Sequence, residues 1–237
     1  MKTSTREAEL KLKDGRRVAV KLAVNPRARR VSVRIDAAKR EAIATAPSER
    51  QLKRALSFAA ERAFWIAEEL ERLPKGQPFA PGETIPILGR PHVLVRVHGR
   101  GAPCIEDGRL IVPTLDPDLF AARVRRFLIA HAKDILSERV AAHAHTIGAR
   151  YQRITMKDTR SRWGSCSSDG AMSFSWRIIF APMHVLDYLA AHETAHLKEM
   201  NHSRRFWALV AKCTPQMEKG REWLRTHGVG LHAIGAE

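Results

Sequence analysis

The stretch His192-Glu193-Thr194-Ala195-His196-Leu197-Lys198-Glu199-Met200-Asn201-His202 decides how this chain is read. On an α-helix, positions i and i+4 lie about 40° apart around the axis and roughly 6 Å apart along it, so His192 and His196 present their imidazoles to one ion. Glu193 sits one step round from His192. Its carboxylate reaches a water at that ion without being a ligand, which is the place of a general base. The spacing marks Zn2+ as the cofactor, His192 and His196 as metal ligands, and Glu193 as the catalytic residue.

The residues leading into the motif support a helix. Pro182 suits a first turn, and Val185, Leu186, Leu189 and Ala190 form an apolar stripe. A continuing helix would place His202 about 240° around the axis from His196, pointing away from the ion, so the chain is expected to turn before it. Asn201 supplies turn chemistry there, and Ser203 is a candidate N-cap for the next helix. Glu199 lies roughly 10 Å along the axis from His192, too far for a tetrahedral site. His202 is the preferred third ligand, with Glu218 and Glu222 on a later helix as competitors.

The 237 residues suffice for a sizeable core and for one or two domains. The amino-terminal residues carry no apolar core of a signal peptide, and no run reaches bilayer-spanning length, so a cytoplasmic protein with no membrane partner is expected. Cys104, Cys166 and Cys213 are odd in number and lack C-x-x-C spacing, which argues against a disulfide frame or a cysteine-zinc site. Forty-one Lys and Arg against 25 Asp and Glu give a net charge of +16. That charge draws polyanions at low salt, and it is partly concentrated between Lys11 and Arg40. A solvated basic face and a nucleic-acid groove stay open alike, because Phe58 is the nearest stacking aromatic and none is interleaved.

The first half alternates in the manner of strands. Residues 8–13 and 17–22 flank an Asp14-Gly15 hairpin signal, and residues 31–35 and 42–46 continue the strand pattern. Ser48-Glu49-Arg50-Gln51 reads as a capping box opening one long helix from Leu52 to Leu73, ended by Pro74. The run Pro74-Lys75-Gly76-Gln77-Pro78 is the first candidate boundary, but residues 83–97 and 109–112 read as strands that extend the same sheet, and the first portion is drawn as residues 1–105. In residues 106–237, Asp116-Pro117-Asp118 caps a helix running towards Ala144, with Leu119, Val124, Phe127, Leu128, Ala132, Ile135, Leu136 and Val140 as its buried stripe. Two strands, at 153–157 and 171–176, precede the metal helix. A strand beside that helix offers a free edge to an extended peptide.

At Ser161-Arg162-Trp163-Gly164-Ser165-Cys166-Ser167, Trp176-Arg177, the histidine motif through Ser203, and Phe206-Trp207, the chain resembles the YgjP-like metallopeptidase family, which is itself similar to the SprT-like and minigluzincin-type small zincins. The six-residue step from second to third histidine also occurs in the metzincin pattern, but Glu199 stands where that pattern has glycine. The resemblance implies an α+β, small zincin-like metallopeptidase fold with an N-terminal β-rich portion and a helical catalytic portion. It implies a zinc site at His192, His196 and His202 with Glu193 as base, in agreement with the spacing. It leaves the substrate open, because nucleoside triphosphate pyrophosphatase activity has also been attributed to the family.

The expected function is zinc-dependent hydrolysis of peptide bonds in a peptide or protein substrate. Arg162, Trp163 and Tyr188 are the candidate substrate-binding residues, Tyr188 also reading as a core tyrosine. A triphosphate substrate, or a nucleic-acid-binding protein with a structural zinc, are the alternatives, with nucleic acid or nucleotide as partners of the basic surface. A nucleophilic Cys166 is the non-metal rival, although no base is specified for it.

Overall fold

A computed structural model describes residues 5–36, 39–73, 75–159 and 161–236. The fold is α+β, with helices and mixed sheets. It divides into two compact units, Met1–Lys75 and Gly76–Glu237, so the division falls at residue 75 rather than at 105. The reason is pairing: the strands between residues 84 and 113 form a sheet of their own instead of extending the first.

In the first unit, strands β1 (Thr5–Lys11) and β2 (Arg17–Val24) form the antiparallel hairpin expected around Asp14-Gly15. Strands β3 (Ser32–Asp36) and β4 (Glu41–Ala46) complete a four-stranded sheet of order β1-β2-β4-β3. Val18, Val20 and Leu22 alternate with Ala42, Ala44 and Ala46 on the buried face, where the small alanines let helices lie close. Those helices are α1 (Leu52–Ala60) and α2 (Ala63–Arg72), not one helix. The interruption at Glu61-Arg62 carries neither proline nor glycine. It redirects the second helix so that Ala63, Ile66 and Ala67 stay buried on the sheet core. The capping box does not form: the Ser48 hydroxyl makes no cap bond, and a 3-10 turn at Glu49–Gln51 precedes α1. Pro74, to which the sequence assigns the helix end, lies outside the described residues.

In the second unit, β5 (Thr84–Ile87), β6 (Arg90–Val97), β7 (Cys104–Glu106) and β8 (Arg109–Pro113) form a sheet of order β5-β6-β8-β7. Asp116 then accepts a hydrogen bond from the Asp118 N–H at 2.9 Å, and helix α3 (Phe120–Ile147) follows. Phe120, Val124, Leu128, Ala132, Leu136 and Val140, each four residues on from the last, are its buried stripe. Leu119, expected in that stripe, precedes the helix and is 52% exposed. A second sheet of order β10-β11-β9 contains β9 (Arg153–Lys157), β10 (Gly164–Cys166) and β11 (Ala171–Ser175), with β10 on its edge.

Helix α4 (Met183–Ala195) carries the histidine motif and packs against α3, α5 (Arg204–Cys213) and α6 (Met217–His227). Its approach is fixed by the turn after β5, where the Leu88 N–H donates to the Ile179 carbonyl at 2.7 Å. Farther along, buried His143 of α3 pairs with Asp187 of α4, Nε2 to Oδ1, at 2.9 Å. Among the described residues, no helix is long and apolar enough to cross a membrane.

Burial works against the His143 cation, but Asp187 and the Cys213 side chain outweigh it and push the imidazole pKa up to about 9. Burial likewise opposes the Asp187 anion, and the hydrogen bonds from His143 and Thr214 overcome it and hold the carboxyl below its ordinary range. A raised imidazole stabilises fully below its unfolded pKa of 6.5 and loses that contribution as pH climbs through about 9. A lowered carboxyl contributes above 3.8 and loses its effect as pH falls further. Asp187→Asn is therefore expected to destabilise the protein by on the order of 2 kcal/mol at pH 6 and by clearly less at pH 9.5. Denaturant unfolding of both proteins at the two pH values measures this, and a pH-independent difference would contradict it.

Candidate metal centre

Helix α4 ends at Ala195, and a tight turn carries the chain back. The N–H groups of Leu197 and Lys198 donate to the carbonyls of Thr194 and Ala195 at 3.0 and 3.1 Å. Ser203 then caps α5, its hydroxyl accepting from the Phe206 N–H at 3.3 Å. This reversal returns His202 to the motif, as the spacing requires. Its Nε2 lies 3.2 Å from the Nε2 of His192, and one nitrogen from each of His192, His196 and His202 falls within 4.8 Å of the others.

That donor set fits zinc. Ligand nitrogens about 2.0–2.1 Å from a tetrahedral ion stand roughly 3.3 Å from one another, close to the His192–His202 separation. His196 donates from Nδ1 to the Glu199 carbonyl at 3.0 Å, which fixes its tautomer and leaves Nε2 as a lone-pair donor. Burial holds the pKa of both His192 and His196 down, that of His192 to about 4, with the neighbouring imidazoles adding to the effect. Both rings are neutral at physiological pH, as metal ligands must be.

Glu218 and Glu222 do not join this group. Glu222 is held by Arg225 at 3.0 and 2.6 Å, and both carboxylates are exposed. Glu199 contributes its backbone carbonyl, not its carboxylate.

The three imidazoles rest on Phe206. This fully buried ring lies 4.9, 4.6 and 4.7 Å, centroid to centroid, from His192, His196 and His202. Trp207 stacks on His202 at 5.8 Å, and the Arg221 guanidinium lies over the Trp207 ring, 4.8 Å from its centroid. The sequence offered Phe206-Trp207 as part of a resemblance but no role for either. The available signal was their position in the first turn after the Ser203 cap, which fixes which way they face.

Glu193 is 4% exposed, and its side chain lies against the edge strand β10. Gly164 makes this possible: a Cβ there would stand 2.7 Å from Cγ and Cδ of Glu193 and overlap its carboxylate. Burial pushes the Glu193 pKa up to about 8, and the charge of Arg162 acts in the opposite direction. Arg162, at the entry to β10, is thus close enough to bear on the carboxylate electrostatically.

Of the other two expected substrate contacts, Tyr188 lies edge to face against the candidate ligand His192, ring centroids 5.9 Å apart. Tyr188 is buried with Ala191, Phe206 and Val210, and helix α6 crosses it where Gly220 has no side chain, a Cβ there falling 2.5 Å from the Tyr188 Cβ. Trp163 stacks on His232 at 4.8 Å and packs against the main core. Cys166 is no nucleophile: burial, then the nearby Glu193 carboxylate, push its thiol up to about 11, so it stays protonated.

A family model described as YgjP-like, metallopeptidase domain, matches residues 29–227, and the chain belongs to that family. No curated protein and no solved structure matches it.

Two substitutions separate the parts of this centre. His202→Ala is expected to weaken zinc binding by at least about tenfold, measured by competition with a chromogenic chelator, because outer partners alone are worth that much. Gly164→Ala is expected to retain zinc while displacing the Glu193 carboxylate, lowering hydrolytic turnover by roughly a hundredfold. Wild-type turnover in the Gly164→Ala protein would show that the carboxylate position is not critical.

Proposed function

We propose that this member of the YgjP-like metallopeptidase family is a zinc-dependent peptidase, with His192, His196 and His202 as ligands and Glu193 as general base. The observation that carries this reading is the convergence of three imidazoles, two of them 3.2 Å apart, beside a buried carboxylate one residue from the first. When bound, the ion supplies Lewis acidity, acidifying water and polarising a carbonyl oxygen.

The chain's own residues do the rest. Glu193 accepts the proton of the attacking water and later delivers it to the leaving amine, a role suited to a carboxylate whose burial raises its basicity. Gly164 keeps the path of that carboxylate clear. Among the described residues, strand β10 pairs with β11 alone, so its other edge can receive an extended peptide as an added strand beside Glu193. Arg162 enters at the start of this strand, where its guanidinium can meet a substrate carbonyl or carboxylate. Tyr188 and Trp163 serve as walls that hold helix α4 and strand β10 in place.

A second reading keeps the metal and replaces the peptide with a nucleoside triphosphate. The observation in its favour is that Arg162 bears on Glu193 and Arg221 bears on His192, two guanidinium groups suited to anionic oxygens. A purely structural zinc is disfavoured, because such a site closes all four positions with protein ligands and has no use for a buried acid beside it.

Glu193→Gln is expected to keep its zinc and lose at least about a hundredfold in turnover. The measurement is a parallel assay of zinc-loaded wild type and variant on an unfolded protein and on nucleoside triphosphates, with metal content determined for both. Loss of proteolysis supports the peptide reading, loss of triphosphate hydrolysis alone replaces it with the second, and undiminished turnover on both removes Glu193 from the mechanism.

A further inference from the structure

In the first unit, a cleft of about 760 Å³ opens between the edge strand β3 and the outer face of α1 and α2. Its walls carry the guanidinium groups of Arg30, Arg54 and Arg62 and the rings of Phe58 and Trp65. Arg54 and Phe58 stand one turn apart on α1, Arg62 lies in the break and Trp65 in the first turn of α2, while Leu52, Ala55 and Ala59 of α1 and Ala63 and Ile66 of α2 are buried. Sequence alone showed one aromatic here. The fold brings two together with three cations.

What sets this cleft apart is that cations and aromatic rings line it together. Arg30 and Arg54 have no carboxylate partner among the described residues, so both guanidinium groups are available to an anion. Arg62 has only Glu61, at 3.8 Å, and stacks its guanidinium over Phe58 at 3.8 Å from the ring centroid. Trp65, a large apolar side chain, is nevertheless 44% exposed in the cleft. Unpaired cations and an uncovered aromatic face are the two ingredients that bind a chain of phosphates carrying flat bases.

We propose that this cleft binds single-stranded nucleic acid, with phosphates on Arg30, Arg54 and Arg62 and a base stacked on Trp65. Arg27, Arg29 and Lys53, all exposed, continue the positive track beyond it. A single strand is favoured over a duplex because stacking on Trp65 needs an unstacked base, and a cleft bounded by a strand edge and two helices presents no element for a groove. An acidic peptide added to the β3 edge would satisfy the cations but leave the aromatic ring without a matching partner. The inference is independent of the zinc chemistry.

The test uses the full chain and a fluorescein-labelled oligothymidylate of about twenty nucleotides, titrated by fluorescence anisotropy at several salt concentrations. Wild type is expected to bind it more tightly than a duplex of equal length. Trp65→Ala should weaken binding at least about fivefold without changing the salt dependence, and Trp65→Phe should restore most of it. The double variant Arg30→Ala, Arg54→Ala should weaken binding at least about tenfold and reduce the slope of log affinity against log salt by about 1.4. Circular dichroism verifies that each variant is folded. Wild-type affinity in these variants, preference for the duplex, or equal competition by polyglutamate would each overturn the proposal.

Discussion

The contact between Phe206 and the three imidazoles is what the metal centre depends on. Two histidines on one helix face come together through helix geometry alone, but the third must be delivered by a reversal of the chain. That reversal is held at one end by the helix-terminal bonds after Ala195 and at the other by the Ser203 cap. Between them, His202 is exposed and has little to fix it except the aromatic pair that follows. Phe206 fills the space beneath all three rings, and Trp207 stacks on the third, so the reversal has an apolar reason to close. His192, whose buried Nδ1 has no hydrogen-bond partner among the described residues, is oriented by this packing.

The same logic of close approach governs Glu193. Burying a carboxylate costs several kcal/mol unless charge or hydrogen bonds compensate, and the group responds by raising its pKa. Here the environment is the glycine face of an edge strand, with one guanidinium close enough to act on it. Burial therefore makes Glu193 a stronger base than an exposed glutamate. A side chain at residue 164 would remove the space that permits it, so the short sequence before the metal helix and the acid within it form one device.

Much of this was legible in the sequence. Helical spacing identified His192, Glu193 and His196, and the impossibility of a continuous helix through residue 202 called for the turn that the structure contains. The Asp116 cap and the four-residue repeat of α3 were equally readable. What failed to show were features set by tertiary contact. No residue type marks the bend at Glu61-Arg62, because periodicity looks the same whether a helix is straight or redirected on a sheet. The proline and glycine run at 74–78 marks the boundary near residue 75, but strand patterns do not reveal which sheet a strand joins, so the sequence assigns the later strands to the first sheet and draws the division at 105. The crossing of α6 over Tyr188 at Gly220 is likewise invisible in the sequence, since the two residues lie 32 positions apart. The roles of Gly164 and Phe206 rest on contacts with residues 29 and four to fourteen positions away, beyond any local pattern.

Helix α4 is buried on nearly every side, so its charged and metal-binding side chains need partners. His192, Glu193 and His196 belong to the metal centre. Asp187 lies about 140° around the helix axis from His192 and is engaged from a different direction by His143. A buried pair of this kind adds little net stability over an apolar pair of the same shape, since desolvation offsets most of the attraction. Breaking it is costly, because the remaining group is left alone. Its contribution is therefore to select one rotation and one axial position of α4 against α3. Apolar packing by Val185, Leu186 and Leu189 tolerates small slippage, whereas a 2.9 Å hydrogen bond does not. The imidazoles at the far end of the helix inherit that precision, which a tetrahedral site requires to within a few tenths of an ångström.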